Sequence, residues 1–199
     1  LAMGSRFRTL GIPGEQEFVG RGVSYCGTCD GAFYKNKVVA VIGGGNTALE
    51  EADFLTRFAS KVYLVHRRDE FRGDRTAQER AFSNPKIEKV LNCVPVSVNG
   101  TAKVDSLILK NVKTGEQSTL VTDGVFIFVG YDPATSFVPA ELLDDNRQVK
   151  VDMQMRTSVE GLFAAGDLRS ESRRQIVMAC ADGATATMSA YEYLTGCHH

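Results

Sequence analysis

Apolar positions along the chain follow two periods, and the switch between them marks out a core unit. The run Val38–Ile42 (VVAVI) is β-branched and ends in Gly43-Gly44-Gly45. Past the glycines, Leu49, Ala52, Phe54, Leu55 and Phe58 recur with acids and Arg57 between them, which predicts an amphipathic helix over 47–58. A second apolar run at 62–65 completes a βαβ unit of about 30 residues, which requires two parallel neighbouring strands and a right-handed crossover. A further helix is expected over 75–82.

Residues 87–130 change character. Ile87–Leu91, 94–98, Val104–Asn111, Gln117–Val121 and 124–130 are short β-rich segments, with turns at Asn99-Gly100 and Lys113-Thr114-Gly115-Glu116. They read as an antiparallel meander followed by a returning buried strand at 125–129. The stretch 133–147 is loop-like, 149–151 and 161–165 are expected strands, and 176–194 is alanine-rich with a helical period. The class is α/β: a Rossmann-like domain with a parallel sheet and a β-meander.

Composition narrows the function classes. The 199 residues carry 23 Lys+Arg against 24 Asp+Glu, a formal charge of −1, with 43% hydrophobic and 24% charged residues, which excludes disordered and collagen-like architectures. A chain this close to neutral has no global field to hold nucleic acid or an anionic lipid surface, so neither is an expected partner. No apolar run approaches the roughly 20 residues needed to cross a bilayer. Nor does the start of the chain show a charged segment followed by an apolar one. At about 150 residues per domain, one large domain or two small ones fit. No Met stands at position 1, and Leu1-Ala2-Met3-Gly4 reads like the end of a strand entering a loop, so the chain is expected to begin inside a longer natural one. His198-His199 are either native or the stub of a purification tag. Five cysteines are too few and too scattered for a disulfide scaffold, which fits a reducing, cytoplasmic compartment.

Gly43-x-Gly45-x-x-Ala48 has the spacing of a dinucleotide fingerprint and stands between an expected strand and an expected helix. The first glycine permits the tight turn, the second lets backbone approach a pyrophosphate, and the small third residue allows close helix packing. The bland alternative is an ordinary tight turn. About 20 residues on, where an NAD-preferring site carries an acid for the ribose 2′-hydroxyl, this chain has His66-Arg67-Arg68, with Arg72 a turn further. Guanidiniums there suit a dianionic 2′-phosphate, so NADPH is expected over NADH. The competing reading is a solvated basic face paired with Asp69, Glu70 and Asp74.

Cys26-Gly27-Thr28-Cys29-Asp30 precedes the first strand of this unit, whereas Cys93, Cys180 and Cys197 stand alone. Zinc needs four ligands, and no second pair or suitably spaced histidine accompanies these two, so no metal site is expected. A redox dithiol is the sharper reading. Asp30 could move a proton in thiol-disulfide exchange or be a plain surface acid. Nicotinamide delivers a hydride and a disulfide takes two electrons, a pairing that calls for an intermediary, normally a flavin.

Taken together, Cys-x-Thr-Cys-Asp-Gly, the GGGNTALEEA turn-helix, HRRDEFR, and Gly161-Leu-Phe-Ala-Ala-Gly-Asp167 with Arg174-Gln175 and the alanine-rich helix resemble the low-molecular-weight, NADPH-dependent thioredoxin reductases. The resemblance covers nearly the whole chain, with its motifs in order. It implies that Cys29 lies nearest an FAD, that Cys26 attacks the disulfide of thioredoxin or a thioredoxin-like protein, and that Asp30 donates and accepts protons. Gly43, Gly45, Asn46 and Thr47 would cradle the NADPH pyrophosphate, with His66, Arg67, Arg68 and Arg72 at the 2′-phosphate end. Gly166 and Asp167 would meet the flavin ribityl chain, and Arg174 and Gln175 the isoalloxazine region. The implied domains are 1–11 as a remnant of a FAD domain, 12–131 as the NADPH/disulfide domain, and 132–199 as the C-terminal piece of a second Rossmann-like, FAD-binding domain. Members of the family form homodimers and open with a glycine turn for the FAD pyrophosphate, which this chain does not contain. The chain alone is therefore expected to be colourless and inactive while still binding NADPH. Two other readings accompany this one: a nucleotide-binding module without turnover, and the flavoprotein subunit that reduces a peroxidase.

Overall fold

A computed structural model describes residues 1–196. Cys197 and the His198-His199 pair lie outside the described residues. The chain divides into two compact units, Arg8–Gly130 and Leu1–Phe7 together with the residues from Tyr131 onward. Strand β1 (Ser5–Phe7) opens the chain and belongs to the second of these.

In Arg8–Gly130 the elements run β2 (Val23–Ser24), α1 (Gly27–Asp30), β3 (Val38–Ile42), α2 (Asn46–Leu55), β4 (Lys61–His66), α3 (Arg75–Ser83) and β5 (Ile87–Leu91). Then come β6 (Cys93–Gly100), β7 (Val104–Asn111), β8 (Gln117–Val121) and β9 (Gly124–Ile127). A five-stranded sheet has the order β2-β9-β3-β4-β5, every neighbouring pair parallel.

Because successive side chains of a strand point to opposite faces, the apolar run of β3 feeds two cores. Val39 and Val41 join Val62, Leu64 and Phe126 against Ala48, Leu49, Ala52 and Leu55 of α2. Ala40 and Ile42 join Val65, Val125 and Ile127 against Val98, Val104, Leu107 and Leu109 of the three-stranded antiparallel sheet β6-β7-β8. Both faces of the parallel sheet are covered, which is why its strands read as continuous hydrophobic runs. The meander is thus the lid on one face and α2 with α3 the other.

Two sequence expectations need correcting in this unit. Ile87–Leu91 is not part of the meander; it pairs in parallel with β4, Val62 opposite Ile87 and Val65 opposite Val90. Helix α2 stops at Leu55 rather than 58, because Thr56, Arg57 and Phe58 donate to carbonyls three residues back and tighten the last turn.

In the other unit, β1 pairs antiparallel with β10 (Tyr131–Pro133), and a small core gathers Val138, Leu142, Val149, Ala164 and Leu168. The expected strands 149–151 and 161–165 form isolated bridges only, Val149 with Leu143 and Arg169 and Phe163 with Arg156. The chain before and between them folds back through turns whose amides are capped by Asp144 and Asp152 respectively, so the backbone groups are satisfied locally rather than in a ladder. The helix α4 (Ile176–Thr195) ends at Gly196 with φ 66°, the left-handed stop that glycine adopts without penalty. It buries Asp182 and Ser189 but leaves Ile176, Val177, Met188 and Leu194 exposed. No helix among the described residues is long and apolar enough to cross a membrane.

Candidate functional site

The glycine turn joins β3 to α2 as its spacing requires. Gly43 has φ 156°, and a Cβ there would meet the Phe128 carbonyl oxygen at 2.5 Å and the Ala48 Cβ at 2.6 Å, so both small residues are obligatory. Around Gly45, by contrast, a Cβ would find nothing within 4 Å. Gly45 is the N-cap of α2 and no side chain caps the helix, so its first N–H groups lie beside open space. An uncapped helix start carrying partial positive charge is a site for an anion. Thr47 is exposed at the same end.

The segment after β4 is stapled to this turn. Arg72 and Gly73 both donate their amides to the Gly44 carbonyl, at 2.8 and 3.2 Å. Asn46 Nδ2 donates to Asp74 Oδ2, and the Asp74 amide donates back to Asn46 Oδ1, each at 2.6 Å. His66 is buried at 6% exposure, its ring stacked on Phe71 at 5.0 Å and packed where a Gly44 side chain would otherwise stand. Burial, against a hydrogen bond that the ring donates to the backbone of Glu70 and helped by Arg67, Arg68 and Arg72, holds its imidazole below the ordinary value. It is a spacer under the turn.

Arg67, Arg68 and Arg72 are exposed, and none has an ion pair among the described residues. Two of the three acids of the bland reading are engaged elsewhere: Asp69 with Lys113 at 2.8 Å and Asp74 with Asn46. Three uncompensated guanidiniums beside an uncapped helix start fit a dinucleotide with an extra phosphate.

Cys26 and Cys29 are joined by a disulfide with Cα atoms 5.3 Å apart. Cys26 caps α1, its Sγ accepting the Cys29 amide at 3.1 Å. The pair sits at the surface, Cys29 the more exposed of the two. Cys93 is buried and Cys180 exposed, both free thiols.

Three residues near this loop escaped sequence reasoning. Ser24, 4% exposed, donates its hydroxyl to Asp30 Oδ2 at 2.7 Å and accepts the Cys26 amide at 3.1 Å, so one side chain fixes the acid relative to the disulfide. Glu51 of α2 sets its Oε2 against Gly27, where a Cβ would collide with it. Phe33 stands 73% exposed four residues beyond Cys29. Only Phe33 left a trace in the sequence, as an aromatic in a polar turn.

The remaining expected residues lie in the other unit. Gly166 takes φ 81° and donates its amide to Asp182 Oδ2 at 3.1 Å, while Asp167 is half-buried with only a 3.5 Å approach from Ser172 Oγ. A carboxylate so lightly engaged keeps acceptor capacity for a hydroxyl-bearing ligand such as a ribityl chain. The Arg174 guanidinium lies over the Tyr131 ring at 4.1 Å, its Nε buried with no hydrogen-bond partner, and Gln175 precedes α4.

Comparison with known proteins meets this geometry from another side. Residues 1–183 match the family described as pyridine nucleotide-disulphide oxidoreductase. A thioredoxin reductase of Treponema pallidum (strain Nichols) is 48% identical over 194 residues, 98% of this chain and 63% of that protein. The thioredoxin reductase structure from Streptococcus pyogenes MGAS5005 superposes with a TM-score of 0.94 at 43% identity, covering 98% of this chain and 65% of that one. The thioredoxin reductase of Giardia duodenalis gives 0.92 at 37%, covering 97% and 64%. The chain therefore spans just under two thirds of the length of these relatives. A glycine turn rimmed by free arginines, a Cys-x-x-Cys disulfide in the same unit and a match over nine tenths of the sequence lead to one assignment: the chain belongs to the pyridine nucleotide-disulphide oxidoreductase family.

Proposed function

We propose that the protein acts as a thioredoxin reductase, taking electrons from NADPH through FAD to the Cys26–Cys29 disulfide and on to thioredoxin or a thioredoxin-like protein. The observation that carries this reading is that one compact unit holds both a closed Cys-x-x-Cys disulfide and a dinucleotide turn with unpaired arginines. When bound, the dinucleotide supplies a hydride and the flavin converts it to the electron pair a disulfide accepts.

The chain's own residues have separable tasks. Gly43, Gly45, Thr47 and the first amides of α2 hold the pyrophosphate, Asn46 ties Asp74 to the helix start, and Arg67, Arg68 and Arg72 receive the 2′-phosphate. His66 supports the turn from beneath. Gly166, Asp167, Arg174 and Gln175 are assigned to the flavin. Opening the disulfide takes two electrons and yields two sulfurs. Cys26, whose Sγ already accepts the Cys29 amide, is the better stabilised as thiolate and is the sulfur that attacks the partner disulfide. Cys29 then attacks Cys26 Sγ in the mixed disulfide, re-forming the internal bond and expelling the partner's sulfur as a thiolate, and Asp30, steadied by Ser24, moves the proton that this sulfur takes up. Phe33 offers an exposed aromatic anchor for the incoming protein. A reducing cytoplasm suits this chemistry, and a homodimer would cover part of the apolar surface of α4.

The test is anaerobic NADPH oxidation at 340 nm with oxidised thioredoxin, run on flavin-loaded full-length protein because the 199 residues alone are expected to be colourless. Turnover that disappears in Cys29→Ser supports the reading. Equal turnover in that variant removes it.

A further inference from the structure

Glu51 is the group that the proposed chemistry does not use and the fold does not explain. It stands in α2, five residues in from Asn46, roughly 7.5 Å along the helix from the glycine turn, and its carboxyl reaches α1 at the redox loop. Its Oε2 is buried and has no hydrogen-bond partner among the described residues. The contact it makes is with Gly27, between Cys26 and Cys29, and it exists because residue 27 has no side chain. An ionised carboxylate oxygen buried without a donor is costly, and a protonated one much less so.

We infer that Glu51 is a positioning residue of the redox loop, whose carboxyl is protonated while seated against Gly27 and, on ionising, raises the pH at which reduced Cys26 becomes thiolate. Its surroundings point the same way: burial first, then Glu50 beside it, push its carboxyl above the ordinary carboxylate value. The charged groups of neighbouring elements leave it uncompensated. From α1 and its cap come Cys26, Cys29 and Asp30, all neutral or acidic. On α3, Arg80 pairs with Asp53 and Arg75 with Glu79, while on β4 Lys61 pairs with Glu88 and His66 is buried under Gly44. β3 presents Val39 and Val41 to α2. Two acids sharing one small region titrate as a coupled pair, so the negative charge left on Glu51 when its proton departs opposes a second negative charge at Cys26.

The inference rests on Cys26–Cys29 being the redox centre. To test it, the chain is reduced with dithiothreitol, whose two thiols become a cyclic disulfide as the Cys26–Cys29 bond takes up two electrons and two protons. After reductant removal, the alkylation rate of Cys26 by iodoacetamide is followed from pH 5 to 10 by peptide mass spectrometry. Glu51→Gln keeps the shape and cannot ionise. Gly27→Ala displaces the carboxyl into water, where it ionises normally and away from the sulfur. Both are expected to shift the Cys26 titration down by about half a pH unit or more, roughly threefold in thiolate fraction, with NADPH affinity unchanged as the check on folding. A Glu51→Gln curve superimposable on wild type overturns the inference, and if that variant does not fold, a superimposable Gly27→Ala curve does so. A disulfide that cannot be opened and reclosed removes the redox reading itself, and this inference with it.

Discussion

Asn46 and Asp74 bond each other twice, the Asn46 amide donating to the Asp74 carboxylate and the Asp74 backbone N–H returning to the Asn46 carbonyl, both at 2.6 Å. The first residue of α2 thereby holds the end of the arginine-bearing loop, while Arg72 and Gly73 hold its middle through the Gly44 carbonyl. The glycine turn and the arginine-bearing loop are one hydrogen-bonded piece of structure. Removing the pair with Asn46→Ala forfeits two bonds of about 0.5–1.5 kcal/mol each. NADPH binding by calorimetry is expected to weaken about tenfold, with the midpoint of thermal unfolding lowered by only a few degrees. Unaltered affinity would mean that the loop is held by Gly44 alone.

Specificity should follow the three guanidiniums. One charge-assisted bond is worth about 1.5–3 kcal/mol, or ten- to a hundredfold in affinity. Arg67→Ala, Arg68→Ala and Arg72→Ala are each expected to lower NADPH affinity while barely touching NADH, and wild type is expected to bind NADPH the more tightly. Equal binding of both nucleotides by wild type would return the cluster to an ordinary solvated face.

Much of this unit was legible in the sequence because its signals are local. The run Val38–Ile42, the three glycines and the spacing to Arg67 and Arg68 each report on a few neighbouring residues. The composition of Ile87–Leu91 groups it with the meander because a short strand carries no label for its partner, and the choice of β4 is made by the parallel sheet as a whole. Ser24 and Glu51 were invisible for the same reason, since their roles depend on Asp30 and Gly27 being brought to them. The strands expected at 149–151 and 161–165 have the right composition and lack a ladder, which composition cannot reveal.

Ser24 offers a test of how Asp30 is held. Ser24→Ala removes the 2.7 Å bond to the carboxylate and the acceptor for the Cys26 amide, leaving the disulfide itself intact. The pH profile of thioredoxin reduction is expected to change shape, with turnover at its optimum lower by about tenfold. A profile parallel to wild type would make Ser24 a packing residue only.

In the other unit, Arg169 Nε lies 2.6 Å from Asp182 Oδ2, both side chains nearly buried. The guanidinium, opposed by burial and assisted by the Gly166 amide, lowers the Asp182 carboxyl from its ordinary value of 3.8. A depressed folded value means the contribution is complete above the unfolded value and is lost as pH falls through the lower folded one. Unfolding followed between pH 7 and 2 should show that loss below about pH 4, absent in Asp182→Asn. Arg169→Ala strands a buried charge and is expected to cost about 3–5 kcal/mol, read by denaturant titration. A cost under 1 kcal/mol would mean that water reaches Asp182 once the guanidinium is gone.

Electrons from NADPH should open the Cys26–Cys29 bond and leave through it. Flavin-loaded protein is treated anaerobically with one equivalent of NADPH, quenched with iodoacetamide and mapped by mass spectrometry, with and without a following pulse of oxidised thioredoxin. Cys26 and Cys29 are expected to become alkylated together after NADPH and to be protected again after thioredoxin, while the labelling of Cys93 and Cys180 is the same before and after. NADPH consumed with Cys26 and Cys29 still joined would contradict the account.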